Sequence, residues 1–213
     1  MTYVAAIYIY PGVEVLDFAG PYEVFTTANR VFARQYPAEE APFEVFTIAS
    51  RQELIRARAG LQIKPDFIRS RHPAIDVLIV PGGVVMDELR DSELSCWLAD
   101  IHRRTQLTAS VCTGAFLLAK GGILDGLSAT THHEDIADLR EMFPSVQVVE
   151  NRRWVDQGKV VTSGGISAGI DMSLHLIERL ATRALALATA CQLEVDWPPG
   201  QGEWPLTASR TSE

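Results

Sequence analysis

Long apolar runs, paired cysteines and a signal peptide are all missing from this chain, and each absence removes a class of protein. No apolar run reaches the ~18 residues that a membrane-spanning helix needs. The three cysteines, an odd number at unrelated spacings, fit neither a disulfide framework nor a metal site. The amino terminus carries neither the basic region nor the cleavage site of a signal peptide. These absences favour a protein of the reducing cytoplasm that does not act in a membrane.

Concentrated positive charge is also missing. The chain has 19 Lys and Arg residues against 27 Asp and Glu residues, and its formal net charge is −8. The basic stretches at 51–58 and 69–71 are short and diluted, so we expect them to be solvated loop edges and expect no direct contact with nucleic acid. With 213 residues and 47% hydrophobic residues, the chain is long enough for one globular domain, predicted over residues 1–196. Residues 197–213 are predicted to be a surface tail.

Apolar runs of two kinds alternate along the chain. Short β-branched runs predict strands at 4–10, 43–50, 76–80, 107–111, 146–149 and 160–162. Runs with helical spacing predict helices at 18–36, 91–104, 115–120, 134–143 and 167–194. The segment 51–70 is expected to be a loop or a short hairpin. This alternation predicts an α/β fold, a layered sandwich around a mostly parallel sheet.

Cys112 lies where a predicted strand turns into a predicted helix. Small residues follow it, and a sharp strand-to-helix turn of this kind is the geometry of a nucleophile elbow. The amide groups of a helix N-terminus favour a thiolate, so we expect the pKa of the thiol to be lowered. The alternative is a buried cysteine that packs as a small apolar residue.

Two acidic residues near the first strand are candidates for proton transfer. Asp17 follows that strand, so its carboxyl group could reach the same edge of the sheet as Cys112 and hold or donate a proton. The alternative role for Asp17 is that of a helix N-cap, with Pro21 in the first turn. Glu23, six residues further along the helix, is a weaker candidate for the same proton-transfer role.

Glycines near the predicted elbow are candidates for substrate binding. Gly82 and Gly83 follow a buried strand, and Gly114 follows the cysteine by two residues. Because glycine lets backbone amides approach a ligand closely, these residues and the Thr113 amide are predicted to form an oxyanion site. The Thr113 hydroxyl is a candidate for positioning water or substrate. Each of these residues could instead serve only the turn that contains it.

Adjacent histidines at 132 and 133 precede two acidic residues. This pattern fits a Cys-His-acid triad, but neighbouring side chains point in different directions, so at most one histidine is expected to reach Cys112. His132 is a candidate site residue. Cys96 and Cys191 fall in helical patterns and are expected to be unreactive.

Several motifs in order along the chain resemble the DJ-1/PfpI superfamily. They are residues 16–25, 81–83, 112–119, 121–124, 129–132 and 162–171. Two branches of the superfamily share the sequence motifs found at 16–25 and 112–115. They are the isonitrile hydratases and the sensor domains of AraC-type regulators. The resemblance implies a flavodoxin-like three-layer sandwich and a homodimer. It also implies a nucleophile matching Cys112 and an acidic partner matching Asp17.

The hydratase branch implies a specific reaction. The cysteine attacks the terminal carbon of an isonitrile, and water resolves the covalent thioimidate to an N-substituted formamide, with no cofactor. Asp17 would move protons, and Thr113 would position the reactants. The alternative is a non-catalytic or redox-sensing protein. A regulator would need a DNA-binding part beyond the sensor domain, and the chain is expected to lack it because it ends at Glu213.

Three related activities fit this sequence less well. Proteases of the superfamily place histidine directly after the elbow cysteine, where this chain has Thr113. Deglycase-type members use a glutamate where this chain has Asp17. Class I glutamine amidotransferases, which are otherwise similar, need a His-x-Glu motif late in the chain, and 166–171 does not contain one.

Overall fold

A seven-stranded, mostly parallel sheet with helices on both faces forms the centre of the molecule. The computed structural model describes residues 2–197. The strands are β1 (Tyr3–Tyr8), β2 (Phe43–Ala49), β3 (Ile55–Arg56), β4 (Gln62–Ile63), β5 (Phe67–Ile68), β6 (Val77–Val80), β7 (Leu107–Val111), β8 (Ser128–Ala129), β9 (Gln147–Val148), β10 (Trp154–Asp156) and β11 (Val160–Ser163). The helices are α1 (Val15–Gln35), α2 (Ser92–Arg104), α3 (Gly114–Lys120), α4 (Ile136–Met142), α5 (Ala168–Leu180) and α6 (Arg183–Gln192), with short 3₁₀ helices at Glu88–Arg90 and His133–Asp135.

The strand order explains how the helices divide between the two faces. The order is β10-β11-β7-β6-β1-β2-β5, and every neighbouring pair is parallel except β10 with β11. The chain moves in one direction across the sheet from β1 to β2 and in the other from β6 to β7. Because such crossovers are right-handed, α1 and α2 lie on opposite faces. Helices α5 and α6 pack with α1, and α3 packs with α2. The predicted α/β sandwich is confirmed.

The central strands are buried on both faces, as their continuous apolar runs predict. Residues 5–9 and the whole of β6 have no exposed surface. Parallel strands need such runs because helices cover both faces of the sheet. The carboxyl ends of β1, β6, β7 and β11 meet at one edge, next to the point where the strand order reverses between β1 and β6. Ligands bind at this position in open α/β sheets.

Helix α1 begins earlier than the sequence pattern predicts. Glu14 is its N-cap, and one of its carboxylate oxygens accepts a hydrogen bond from the Val15 amide at 3.1 Å. Asp17 therefore lies inside the first turn and is not the cap, while Pro21 lies in the interior of the helix and not in its first turn. Both acidic residues suit a helix start, and the sequence pattern alone does not choose between them.

The predicted helix at 167–194 is two helices. Helix α5 ends at Leu180, and Thr182 begins α6 by accepting a hydrogen bond from the Leu185 amide to its hydroxyl at 3.1 Å. The break lets both helices pack against α1. The segment 51–70 contains the hairpin β3–β4, as one alternative predicts, and also the edge strand β5, which was not predicted; β10 was missed as well. Of the predicted tail at 197–213, Trp197 is buried and the remainder lies outside the described residues.

Candidate active site

Cys112 occupies a strained turn between β7 and α3. Its φ angle is 55°, in the left-handed region that residues with a β-carbon avoid, at a cost of order 1–3 kcal/mol. Neighbouring backbone holds it there: the Cys112 amide donates to the carbonyl oxygens of Ser163 and Gly164 at 3.2 and 3.3 Å. The Thr131 hydroxyl donates to the Cys112 carbonyl at 2.8 Å. The predicted nucleophile elbow is present in the structure.

Gly114 allows the elbow to pack against the end of β6. A β-carbon at this position would lie 2.0 Å from the Val80 carbonyl oxygen and 2.9 Å from the backbone of Pro81. Any side chain would therefore push α3 away from the sheet. The structure supports a packing role for Gly114, and its oxyanion role stays a prediction.

The turn after β6 forms hydrogen bonds both to Asp17 and to the elbow. The Gly82 amide donates to Asp17 Oδ2 at 3.2 Å, and the Gly83 amide donates to Thr113 Oγ1 at 2.9 Å. The same hydroxyl donates to the Gly83 carbonyl at 3.1 Å. The amides of Gly82 and Gly83 are thus each bonded within the protein, and the oxyanion site, to which the Thr113 amide and Gly114 are also assigned, stays a prediction. These hydrogen bonds hold the acid and the elbow together.

Asp17 is fully buried beside the Cys112 thiol. Burial, aided by the negative charge of Glu14, raises the pKa of its carboxyl group to about 7, although the amides of Gly82 and Ile166 and the thiol oppose the rise. Its second oxygen, Oδ1, is buried and has no hydrogen-bond partner among residues 2–197. A carboxyl group with a pKa near neutrality and a free oxygen can both accept and return a proton.

The Cys112 thiol has the opposite pKa shift from the one that the helix N-terminus predicts. The residue is 8% exposed, and burial together with the negative charge of Asp17 raises the pKa of the thiol, although the Thr113 amide acts in the other direction. The local dipole is therefore outweighed by loss of hydration and by the neighbouring carboxylate. The thiol therefore keeps its proton at neutral pH and does not rest as an exposed thiolate.

A pocket of about 240 Å³ opens above the thiol. Its wall combines the elbow, the turn after β6, the start of α1, the hairpin β3–β4 and the 3₁₀ helix before α4. The lining residues are Glu14, Arg58, Gly83, Val84, Cys112, Thr113, His132, Glu134, Asp135 and Ile166. Among residues 2–197, no group of three or more His, Cys, Asp or Glu side chains is placed to hold a metal ion.

Of the two adjacent histidines, His132 is the one in the pocket wall. Its Nδ1 atom accepts a hydrogen bond from the Glu134 amide at 3.3 Å and lies 3.4 Å from Asp135 Oδ2. Its ring packs so tightly on Gly165 that a β-carbon there would lie 2.0 Å from the ring. His133 has a half-exposed side chain and does not line the pocket.

Glu23 does not reach the site. It lies further along α1, where its carboxylate accepts hydrogen bonds from Thr27 at 3.0 Å and Arg30 at 2.7 Å. Its side chain is 53% exposed. The candidacy of Glu23 as an acid partner is therefore wrong, because six residues of helix point its side chain away from Asp17.

Sequence comparison agrees with this geometry. Residues 4–179 match the model of the DJ-1/PfpI family. The chain belongs to the DJ-1/PfpI family.

Relatives within the DJ-1/PfpI family differ in function. The chain is 32% identical over 174 residues to the HTH-type transcriptional regulator GbdR of Pseudomonas aeruginosa, a match covering 82% of this chain and 46% of the regulator. It is 29% identical over 193 residues to the isonitrile hydratase of Pseudomonas putida, covering 90% and 77% of the two chains. A THiJ/PfpI family protein from Pseudomonas syringae superimposes with a TM-score of 0.80 at 26% identity, covering 94% of this chain and 78% of that chain. The chain spans about half the length of the regulator.

Several residues of this DJ-1/PfpI pocket were not predicted from the sequence, among them Glu14, Arg58 and Ile166. Glu14 enters it as the cap of α1. Arg58, expected on a solvated loop edge, enters because its amide donates to the Val13 carbonyl at 3.0 Å and docks the hairpin beside α1. Ile166 has a φ angle of 54°, a conformation that β-branched residues avoid, and its amide faces Asp17. Only long-range contacts reveal these positions.

Proposed function

We propose that this protein is a cofactor-free, cysteine-dependent hydratase that converts isonitriles into N-substituted formamides, a lyase reaction. The observation that carries the proposal is the pairing of Cys112, on a strained elbow, with a buried Asp17 whose pKa is about 7. The similarity to the isonitrile hydratase of Pseudomonas putida over 90% of this chain supports the substrate class.

In the first step the Cys112 sulfur attacks the terminal carbon of the isonitrile. Asp17 accepts the thiol proton as the sulfur–carbon bond forms, and the same proton is delivered to that carbon, giving a thioimidate (R–N=CH–S–Cys112). A carboxyl group with a pKa near 7 suits both halves of this transfer at neutral pH. Because the thiol pKa is raised, transfer during attack avoids a free buried thiolate.

In the second step water resolves the thioimidate. The water oxygen adds to the carbon and one water proton reaches the nitrogen, giving R–NH–CH(OH)–S–Cys112. The carbon–sulfur bond then breaks, the hydroxyl proton returns through Asp17 to the sulfur, and the formamide R–NH–CHO leaves. Thr113 and Gly83 keep the elbow in register with Asp17 during both steps, through the hydrogen bonds between them. His132 lines the same pocket as Cys112.

The second candidate is a sensor that uses the same thiol without turnover. The 32% identity to a transcriptional regulator over 82% of this chain favours it. A thiol in a small pocket can bind or be modified by an electrophilic metabolite and pass the signal through a change of conformation. This candidate predicts a stoichiometric reaction at Cys112 with no released formamide.

Turnover of p-nitrophenyl isocyanide, followed by ultraviolet absorbance, separates the two candidates. The wild type and Cys191→Ala, which alters an exposed cysteine, are expected to form the formamide at equal rates, and Cys112→Ala is expected to form none. Asp17→Asn is expected to be slowed by about 10²-fold or more. Formamide produced by Cys112→Ala at the wild-type rate contradicts the mechanism, and labelling of Cys112 without turnover favours the sensor.

The proposal also covers the partner of the protein, its oligomeric state and its location. Its direct partner is a small molecule, and we expect a homodimer, which light scattering on the purified protein measures directly. None of the helices within residues 2–197 has the length and apolar character needed to cross a bilayer. We also propose a cytoplasmic location, tested by cell fractionation with an antibody against the chain.

A further inference from the structure

The pocket above Cys112 is lined by more negative than positive charge. Glu14, Glu134 and Asp135 contribute carboxylates, and the cationic side chain that faces them within the described lining is Arg58. Arg58 is already paired, since its Nη1 lies 3.5 Å from Glu14 Oε2. The acidic side of the pocket is therefore the wall formed by Glu134 and Asp135.

This acidic wall lies at the entrance and close to the thiol. The Glu134 side chain is 77% exposed and the Asp135 side chain 33% exposed, so the first meets an incoming molecule and the second lies deeper. The negative charge of Asp135 is one cause of the raised pKa of the Cys112 thiol. His132 bridges the two through its contact with Asp135 and the Glu134 amide.

Charges within a few ångströms of a pocket mouth change the local concentration of charged ligands. A molecule with a carboxylate, sulfonate or phosphate group would approach two carboxylates and meet a guanidinium that is already paired. A molecule with an ammonium group, or with neutral N–H donors, would gain from the same wall. Glu14 is offset by its ion pair with Arg58, so the bias comes from Glu134 and Asp135.

We propose that this pocket selects neutral or cationic electrophiles and excludes anionic ones, with Glu134 and Asp135 as the specificity-determining residues. The inference rests on Cys112 as the nucleophile of the proposed function. For the proposed hydratase reaction, the preferred substrate is an isonitrile whose substituent is uncharged or carries a protonated amine. The rest of the substituent faces Val84 and Ile166, the apolar part of the wall.

Charge-matched methanethiosulfonate reagents test the selection without requiring turnover. The protein is used as Cys96→Ser/Cys191→Ser, which removes the two exposed cysteines. The Cys112 sulfur attacks the sulfenyl sulfur, a disulfide forms and methanesulfinate leaves, with the thiol proton passing to Asp17 and then to solvent. Rates with the 2-aminoethyl (cationic) and 2-sulfonatoethyl (anionic) reagents are compared by mass spectrometry, relative to the same two rates with 2-mercaptoethanol.

At low ionic strength, we expect the ratio of the cationic to the anionic reaction rate to be about ten-fold or more higher at Cys112 than at 2-mercaptoethanol. Glu134→Gln/Asp135→Asn should remove most of this preference, whereas Glu141→Gln, an exposed acid outside the pocket, should leave it unchanged. High salt should reduce it.

The proposal is overturned if the ratio of the cationic to the anionic rate is the same at Cys112 as at 2-mercaptoethanol. It is also overturned if Glu134→Gln/Asp135→Asn leaves that ratio unchanged. The ratio for the Cys96→Ser/Cys191→Ser protein tests the proposal even if adding Glu134→Gln/Asp135→Asn prevents folding. Selection by charge with no hydration of any isonitrile would remove the proposed reaction and keep this inference. Hydration of an isonitrile carboxylate at the same rate as its methyl ester would keep the reaction and remove the inference.

Discussion

Replacing Asp17 by asparagine should change how the stability of this protein depends on pH. Asp17 has no exposed surface, and burial raises its pKa from 3.8 to about 7. Between these two pH values the native state keeps the proton while the unfolded chain releases it. The free energy of unfolding therefore falls as pH rises from about 4 to 7 and is unaffected by this group above 7.

The size of the effect follows from the shift. One pKa unit corresponds to about 1.36 kcal/mol, so the full window is worth about 4 kcal/mol, and the part between pH 5 and pH 7 is worth about 3 kcal/mol. The asparagine side chain of the variant is neutral at every pH and contributes no such dependence. Cys112 adds nothing in this range, because its raised pKa lies above the ~8.5 of a thiol in the unfolded chain.

Urea denaturation of the wild type and Asp17→Asn at half-unit steps from pH 5 to pH 8 measures this difference. We expect the variant to gain about 3 kcal/mol relative to the wild type across that range, because all other titrating groups are common to both proteins. Asp87→Asn, at a side chain that is 92% exposed, is the matched control and should follow the wild type. Parallel curves for the wild type and Asp17→Asn would refute the buried, proton-holding carboxyl group.

Three further predictions concern the elbow. The half-point of Cys112 alkylation by iodoacetamide should lie above about 8.5 in the wild type and fall in Asp17→Asn, because a negative charge is removed; a half-point below 8.5 in the wild type would contradict the raised pKa. Thr113→Val should lose about 1–3 kcal/mol of stability and most activity, because the bonded groups of Gly83 lose their partner, while Thr113→Ser should retain both; equal behaviour of the two variants would contradict the positioning role. Gly114→Ala should cost about 3 kcal/mol in chemical denaturation, with a wild-type value contradicting the packing described above.

Local patterns in the sequence predicted the scaffold and the two central site residues. The strand at 107–111 and its small-residue turn predicted the elbow, and its bounds match β7. The predicted α/β fold and the family resemblance were both confirmed. The elbow and the alternation of strands and helices depend on neighbours along the chain, so periodicity and turn chemistry are enough to find them, whereas the family was predicted from the resemblance of its motifs.

Features that depend on contacts between distant segments were missed. Arg58 reaches the pocket only because the hairpin bonds to Val13, and the break between α5 and α6 reflects packing on α1. The thiol pKa was predicted from the helix N-terminus alone, whereas burial and Asp17 decide its direction. The Gly82 and Gly83 amides could not be known to be occupied until Asp17 and Thr113 were placed beside them.

The most direct test of the account is the mass of the protein quenched in acid during turnover of an isonitrile. Because the thioimidate contains the whole substrate, the protein is predicted to gain the full mass of the isonitrile, and peptide mapping should place that gain on Cys112. Cys112→Ala should show neither the gain nor the formamide. Formamide production with no mass added to the wild type, or an adduct that persists in Cys112→Ala, would contradict covalent catalysis by this cysteine.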